Sequence, residues 1–324
     1  MNNINGDMRW AEKRESFEKN CKIYEKALLK FNGIDEGYDV YNCSIPFIYE
    51  GKKYIYGRVE LHDQWAQSKI CLFSESAPDE FQLTENSEYY HLEDPFISVV
   101  NNKLIMGGVS VIKTRGKIKS FFCPFYQGES PEQMQYFTTG PLGMKDIRLV
   151  QIPNGIGVFT RPGGRVGFTV IKDISELDDK IISEAPLIDF IDGDGYGGMN
   201  QCYYLSSGMI GALGHMVYPK INNKGETERV YVNVAAIFDP ETRKTLGTKI
   251  IGTRYSYPES DHIKISPDTG VALDDTAFTT GLVMRDDGKV DLYSGLSDAL
   301  EGRITIDYPF EGYGKIVYGS NIIV

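Results

Sequence analysis

The residues with chemical potential in this chain stand at the mouths of apolar hairpins. Asp94 heads "DPFISVVNNKLIMGGVSV", Asp146 heads "DIRLVQIPNGIGVFTRPG", Asn200 heads "NQCYYLSSGMIGALGHMVY" and Asp275 heads "DTAFTTGLVMRDDGKVDLYSG". Each acid or amide is followed by an apolar strand, a tight turn and a second strand ending in Gly-Gly, Arg-Pro, Gly-His or Ser-Gly. Fifteen residues separate Asp146 from Arg161, and fifteen separate Asn200 from His215. An earlier, divergent hairpin, "YEGKKYIYGRVELHD", carries Arg58 and Glu60 two apart, hence on one face of a strand. Carboxyl groups gathered in this way suit general acid–base work. Guanidinium and ammonium groups hold anions, while amides and acids bond hydroxyls. Cleavage of a glycosidic bond draws on that combination, with one acid protonating the leaving oxygen and a nucleophile on the opposite face. His215 lies in an otherwise apolar, Gly-rich run, where a buried imidazole needs a partner. A satisfied core histidine and a ligand-site histidine both fit that setting.

These residues need a scaffold that brings remote strand mouths together. After residue 36 the chain is a succession of apolar runs of four to eight residues. Turn signals such as "EGKK", "NNK", "PNG", "SSG" and "DDG" separate them, which is the pattern of hairpins. The hairpins resemble one another at start-to-start intervals of 52, 54 and 75 residues. Repeats of this kind, each a small antiparallel sheet, predict an all-β, five-bladed β-propeller over 37–324 as one domain, with a β-sandwich as the alternative. Residues 1–36 read as a helical extension, its stripe of Trp10, Phe17, Cys21, Tyr24, Leu28 and Phe31 over 9–31 packing outside the propeller. Two short helices are expected at 130–137 and 175–182. A propeller brings polar strand ends to one rim, where water reaches them and where they can act together on a ligand.

Composition excludes several functions. The net charge of -11, from 45 acids and 34 bases over 324 residues, argues against a nucleic-acid footprint and against anionic membrane surfaces. No apolar stretch approaches the eighteen residues of a membrane span. A charged N-terminus and five scattered cysteines without CxxC point to the cytoplasm. There is no HExxH, P-loop or GxSxG, and "DFIDGDGYGG" lacks the DxDxDG spacing of a calcium loop. His62, His91 and His262 have no partner at metal spacing along the chain, so no metal is expected. Homo-oligomerisation stays open.

The segments "YGRVELHD", "LEDPFIS", "GPLGMKDIRLVQI", "GVFTRPGG", "GGMNQCYYL", "IGALGHMVY" and "LYSGLSDA" resemble the bacterial family catalogued as domain of unknown function 1861, over about 38–311. That family in turn resembles, distantly, glycoside hydrolase family 130, the β-mannoside phosphorylases and hydrolases, which are five-bladed propellers with a central sugar site. Their "EDPR", "KDAV" and "RxE" elements have counterparts here in "EDPF", "KDIR" and "RVE". The resemblance implies an inverting glycoside phosphorylase or hydrolase acting on a mannoside or related oligosaccharide, without cofactor, and with inorganic phosphate as co-substrate in the phosphorolytic case. It implies that Asp94 is the proton donor and that Lys145 and Arg161 hold phosphate. One departure stands out, because Phe96 replaces the Arg of "EDPR". Asp94, Asp146 and Asp275 are therefore the catalytic candidates. Arg58, Glu60, Lys145, Arg161, Asn200, His215, Tyr293 and Asp298 are the substrate-binding candidates, with Tyr56 as a further stacking ring. Asp275 and Asp298 could bond sugar hydroxyls or act as the hydrolytic base. A non-catalytic sugar-binding propeller and a furanosidase are the alternative readings.

Overall fold

In the computed structural model, residues 4–85, 87–114, 117–190, 196–222, 224–318 and 322–323 are described. Five mainly antiparallel sheets form a five-bladed β-propeller. The first blade is built on Lys52–Leu61, Lys69–Ala77 and Glu80–Leu83, with Tyr38–Tyr41 and Phe47–Tyr49 both pairing with Lys52–Leu61. The second runs from Glu93–Val100 to Gln133–Thr139, and the third from Arg148–Ile152 to Leu187–Ile188. The fourth runs from Tyr196–Leu205 to Lys244–Gly252. The fifth holds Ala277–Met284, Val290–Leu296 and Leu300–Ile306. The leading strands of successive blades adjoin one another in a ring, which Tyr38–Tyr41 closes against the fifth blade.

Alternation of apolar side chains gives each sheet two buried faces, so each blade packs on both neighbours. One apolar cluster fills each junction. Phe47, Tyr56, Leu72, Ile97 and Met106 lie between the first and second blades. Phe96, Phe125, Leu149 and Val158 lie between the second and third. Phe159, Phe168, Cys202 and Phe238 join the third to the fourth, and Tyr203, Leu213, Leu292 and Ile304 the fourth to the fifth. Val40, Ile55, Phe73 and Tyr293 close the ring. All five cysteines are free. None of the described helices is long and apolar enough to cross a membrane.

The N-terminal helix is Ile4–Asn20, shorter than the 9–31 expected. Trp10 sinks to 1% exposure among Met216, Tyr218, Val230 and Val232 of the fourth blade. Beyond Asn20 the apolar spacing belongs to strands. Glu25–Leu28 pairs with Leu300–Ile306 as the outer strand of the fifth blade, and Lys30–Asn32 adds in parallel to Glu80–Leu83 of the first. Cross-strand pairing decided this, since Leu28 and Phe31 reach two different junction cores. The helix expected at 130–137 is also a strand, because Gln133–Thr139 finds the free edge of Pro124–Ser130. At 175–182 a 3-10 turn, Ile174–Glu176, precedes a short helix, Asp179–Ser183. Residues 191–195, within "DFIDGDGYGG", lie outside the described residues.

Candidate active site

Polar residues enter the ring where its leading strands lose register. In the second blade Glu93 opposes Val109 and Phe96 opposes Gly107, so Asp94 and Pro95 bulge. In the fourth, Asn200 is the extra residue between Met199 and Gln201. Thr280 holds the same place in the fifth blade. Asp94 (φ +48°), Asp146 (φ +58°), Asn42 (φ +45°) and Asp298 (φ +51°) all occupy the left-handed region. Asn and Asp tolerate that region better than other residues with a Cβ. Such bulges re-aim a side chain, and they recur beside active sites.

Two contiguous polar clusters result. In the first, Arg58 donates from Nη1 to Asp94 Oδ1 at 2.9 Å and from Nε to Ser68 Oγ at 2.8 Å. Its Nη2 lies 3.3 Å from Glu60 and 3.2 Å from Glu93. Asn42 Nδ2 donates to Asp94 Oδ1 at 3.0 Å and reaches Asp298 at 3.5 Å. Lys264 Nζ donates to Glu60 Oε2 at 3.0 Å, and the Tyr41 hydroxyl donates to the same oxygen at 2.6 Å. Four carboxyl groups (Glu60, Glu93, Asp94 and Asp298) thus share two cations. Burial works to raise Glu60, but Arg58, the Tyr41 hydroxyl and Lys264 outweigh it and bring its pKa down to about 2. Burial raises Glu93 and Asp298, with Asp94 adding repulsion and Arg58 opposing. Burial and mutual repulsion thus disfavour the charged forms of Glu93 and Asp298. Behind it, buried Glu301 accepts from Cys43 N at 3.0 Å and Thr280 Oγ1 at 2.7 Å, and burial pushes its pKa up to about 7.

The second cluster is cationic. Asp146 is ion-paired with Arg161, and both side chains are buried. Burial opposes ionisation of Asp146, yet Arg161, Lys145 and Arg148 hold it well below the usual carboxylate range. His215 donates from Nδ1 to Asn200 Oδ1 at 2.8 Å. Burial, reinforced by Arg161 and Lys145, pulls its pKa down to about 3, which leaves the ring neutral and Nε2 an acceptor. Lys145 is half-buried, with Nζ 5.8 Å from the Phe121 ring centre. Gly198 permits the close approach of these groups. A Cβ there would lie 2.8 Å from Asp146 Oδ2, 2.9 Å from His215 Cε1 and 3.0 Å from Arg161 Nη1. Arg148 restores a cation beside Phe96: its guanidinium lies 4.0 Å from the ring centre and donates to Asn200 O at 2.6 Å.

The structure thus gathers Arg58, Glu60, Asp94 and Asp298 in one cluster and Lys145, Asp146, Arg161, Asn200 and His215 in the other. Asp275 does not join them. It stands five residues ahead of the bulge that repeats the Asp94 position, and its carboxylate takes Arg14 of the N-terminal helix at 2.7 and 2.9 Å and Lys220 at 3.2 Å. Tyr293 and Tyr56 are junction-core rings, Tyr56 spending its hydroxyl on Pro131 O at 2.6 Å. Their strand alternation turns them between blades. Sequence reasoning missed Asn42, Arg148, Lys264 and Glu301, and it set Glu93 aside for Asp94 because strand neighbours point to opposite faces; the bulge lets both meet Arg58. Asn42 was detectable, because it precedes Asp94 by 52 residues, the interval from Asp94 to Asp146. Lys264 and Glu301 lie outside the repeat and carried no local signal.

The chain is similar to proteins of known structure. No curated protein matches the chain. A mannose phosphorylase of Leishmania mexicana, MPT-4, solved with a phosphate ion, is 44% identical, with 99% of each chain covered and a TM-score of 0.91. MPT-1 of the same organism, a GDP-Man-dependent mannosyltransferase, is 41% identical over 96% of this chain and 98% of its own, with a TM-score of 0.90. A β-1,2-mannobiose phosphorylase of Listeria innocua shares the fold at 14% identity, with 85% and 92% covered and a TM-score of 0.59. The profile described as "Protein of unknown function (DUF1861)" matches residues 15–312, and the chain belongs to that family.

Proposed function

We propose that this protein is an inverting glycoside phosphorylase that cleaves a mannose-containing oligosaccharide with inorganic phosphate, in a site at the centre of the propeller. The observation that carries this reading is the division of the site: a crowded carboxyl cluster around Asp94 and Arg58 adjoins a cationic cluster around Arg161. An inverting hydrolase needs a second, free carboxylate to activate water. Here Asp146 is committed to Arg161 and Asp275 to Arg14, while burial and the neighbouring Asp94 disfavour the charged form of Asp298 that a base would need. Phosphate needs no such base, because it is itself the nucleophile and requires only cations to hold it. The 44% identical phosphorylase with its phosphate ion supports the same chemistry.

In this mechanism Asp94 delivers its proton to the glycosidic oxygen, while Arg58 and Asn42 fix the carboxyl group. Glu93 and Asp298, whose charged forms burial disfavours, stand beside it. Lys145 and Arg161 orient phosphate on the opposite face of the sugar. Neutral His215, held by Asn200, offers Nε2 to a phosphate or sugar hydroxyl. Phosphate oxygen then attacks the anomeric carbon as the leaving oxygen takes the proton, so mannose 1-phosphate and a shortened glycan form.

A second reading, mannosyl transfer from GDP-mannose, is favoured by the 41% identical transferase. It uses the same cationic side for the donor's phosphates. The test is a three-armed assay: mannooligosaccharide with phosphate, mannooligosaccharide without it, and GDP-mannose with a mannose acceptor. Phosphate-dependent release of mannose 1-phosphate is expected. Release of free mannose alone means hydrolysis, product only from GDP-mannose means transferase, and binding without turnover means a sugar-binding module.

A further inference from the structure

The face of Lys52–Leu61 that carries Arg58 and Glu60 continues, at the same two-residue step, to His62. Arg58 meets Asp94, Glu60 meets Tyr41 and Lys264, and His62 meets Asp39. Asp39 is two residues before Tyr41, and His262 is two residues before Lys264. The Glu60–Tyr41–Lys264 contact is thus repeated one step outward by His62, Asp39 and His262. His62 Nδ1 lies 2.7 Å from Asp39 Oδ2, and His262 Nε2 lies 2.5 Å from Asp39 Oδ1. All three ligand atoms fall within 4.8 Å of one another. The two imidazole centres are 4.5 Å apart. The Asp39 side chain is 3% exposed, whereas His62 and His262 are 31% and 48% exposed.

We propose that Asp39, His62 and His262 form a binding site for a first-row divalent cation of the zinc class, tying the connection that carries Lys264 to the first blade. Two imidazole nitrogens and one carboxylate oxygen are a donor set that zinc accepts, with a fourth position left for water. Asp39 is anchored by strand pairing with Glu60 and fixes the buried side of the site. The exposed rings provide the path of entry. Each ring can bind metal by shifting its proton to its other nitrogen. The motif has no sequence spacing, because its ligands come from three separate segments. The cation would sit one ladder step beyond Glu60, which also contacts Arg58.

The test uses the full chain, stripped with chelator and then titrated with Zn2+ by calorimetry and with Co2+ by visible absorption. One ion per chain is expected, with the d–d bands of a four-coordinate cobalt ion and a raised thermal midpoint in the presence of Zn2+. His62→Gln, His262→Gln and Asp39→Asn should each weaken binding by at least the roughly 10- to 100-fold seen for loss of a metal's outer-shell partner. Circular dichroism melts of the metal-free variants check that they fold, and His262→Gln, on an exposed connection, is the variant least expected to disturb folding. Failure to take up one ion per chain overturns the proposal, as does an affinity unchanged in His62→Gln and His262→Gln. Either result leaves a hydrogen-bonded trio of side chains. No readout depends on glycoside chemistry.

Discussion

At the residue scale, four carboxyl groups crowd around Arg58 and Lys264, and the proposed chemistry requires one of them to give a proton. If Asp94 is the acid, Asp94→Asn keeps the shape and the Arg58 contact but has no proton to give. Activity measured as mannose 1-phosphate release should fall about 10²- to 10⁴-fold, with the melting curve little changed. Retained activity would move the role to Glu93 or Asp298. Glu301 makes a separate prediction. Its folded pKa, about 7, lies above its ordinary value, so the native state binds this proton more tightly than the unfolded chain. Stability therefore falls as pH rises through the window from roughly 4.5 to 7. At 1.36 kcal/mol per pKa unit the loss is on the order of 3 kcal/mol. Glu301→Gln mimics the protonated form and should flatten that part of the stability–pH profile, measured by urea midpoints across the window. Identical slopes in both proteins would remove Glu301 as the cause.

At the scale of elements, two features place the chemistry. The first is close approach at the start of the Tyr196–Leu205 strand. Gly198→Ala would press on the Asp146–Arg161 pair and on His215 at once. If those groups hold phosphate, the variant should raise the KM for phosphate at least about tenfold, with a smaller change in the KM for the glycan. An equal change in both would argue that the cluster only supports structure. The second is the N-terminal helix, fastened by the Arg14–Asp275 pair, whose side chains are 7% and 2% exposed. Arg14→Ala leaves a buried carboxylate with Lys220 as its remaining ion-pair partner among the described residues and should cost about 3–5 kcal/mol. In Arg14→Ala/Asp275→Asn part of that loss should return. A double variant as unstable as the sum of its parts would show the pair to be uncoupled.

At the scale of the whole molecule, stability depends on closing a ring. The chain does so with residues 25–32, which finish the fifth blade and then cross to edge the first. Arg303 of the fifth blade adds a two-pronged bond to Asp79 of the first, 2.7 Å on each prong. Removing residues 1–32 exposes the edge of Leu300–Ile306 and deletes Leu29 from the closing core. The thermal midpoint should drop by at least about 10 °C, given roughly 2–4 °C per kcal/mol in domains larger than 150 residues. A truncated chain that melts with the full one would mean that the ring closes through the junction cores alone.

What the sequence determined by itself was local and repetitive. Alternating apolar runs separated by turn residues dictate hairpins, and five hairpins that each need two covered faces dictate a ring of blades. Asp94, Asp146 and Asn200 were legible because they occupy one place in that repeat, as was Arg161 at its fixed distance from Asp146. Tertiary structure alone decided the rest. Asp275 looked like another repeat member, but a bulge five residues later takes the repeat position, and a helix from the far end of the chain claims its carboxylate. The second half of the predicted helix became two strands because free sheet edges outbid an amphipathic stripe. Lys264, Glu301 and the Asp39–His62–His262 trio belong to no pattern along the chain. Their proximity follows from ring closure, which joins segments more than two hundred residues apart, and one-dimensional spacing carries no record of that.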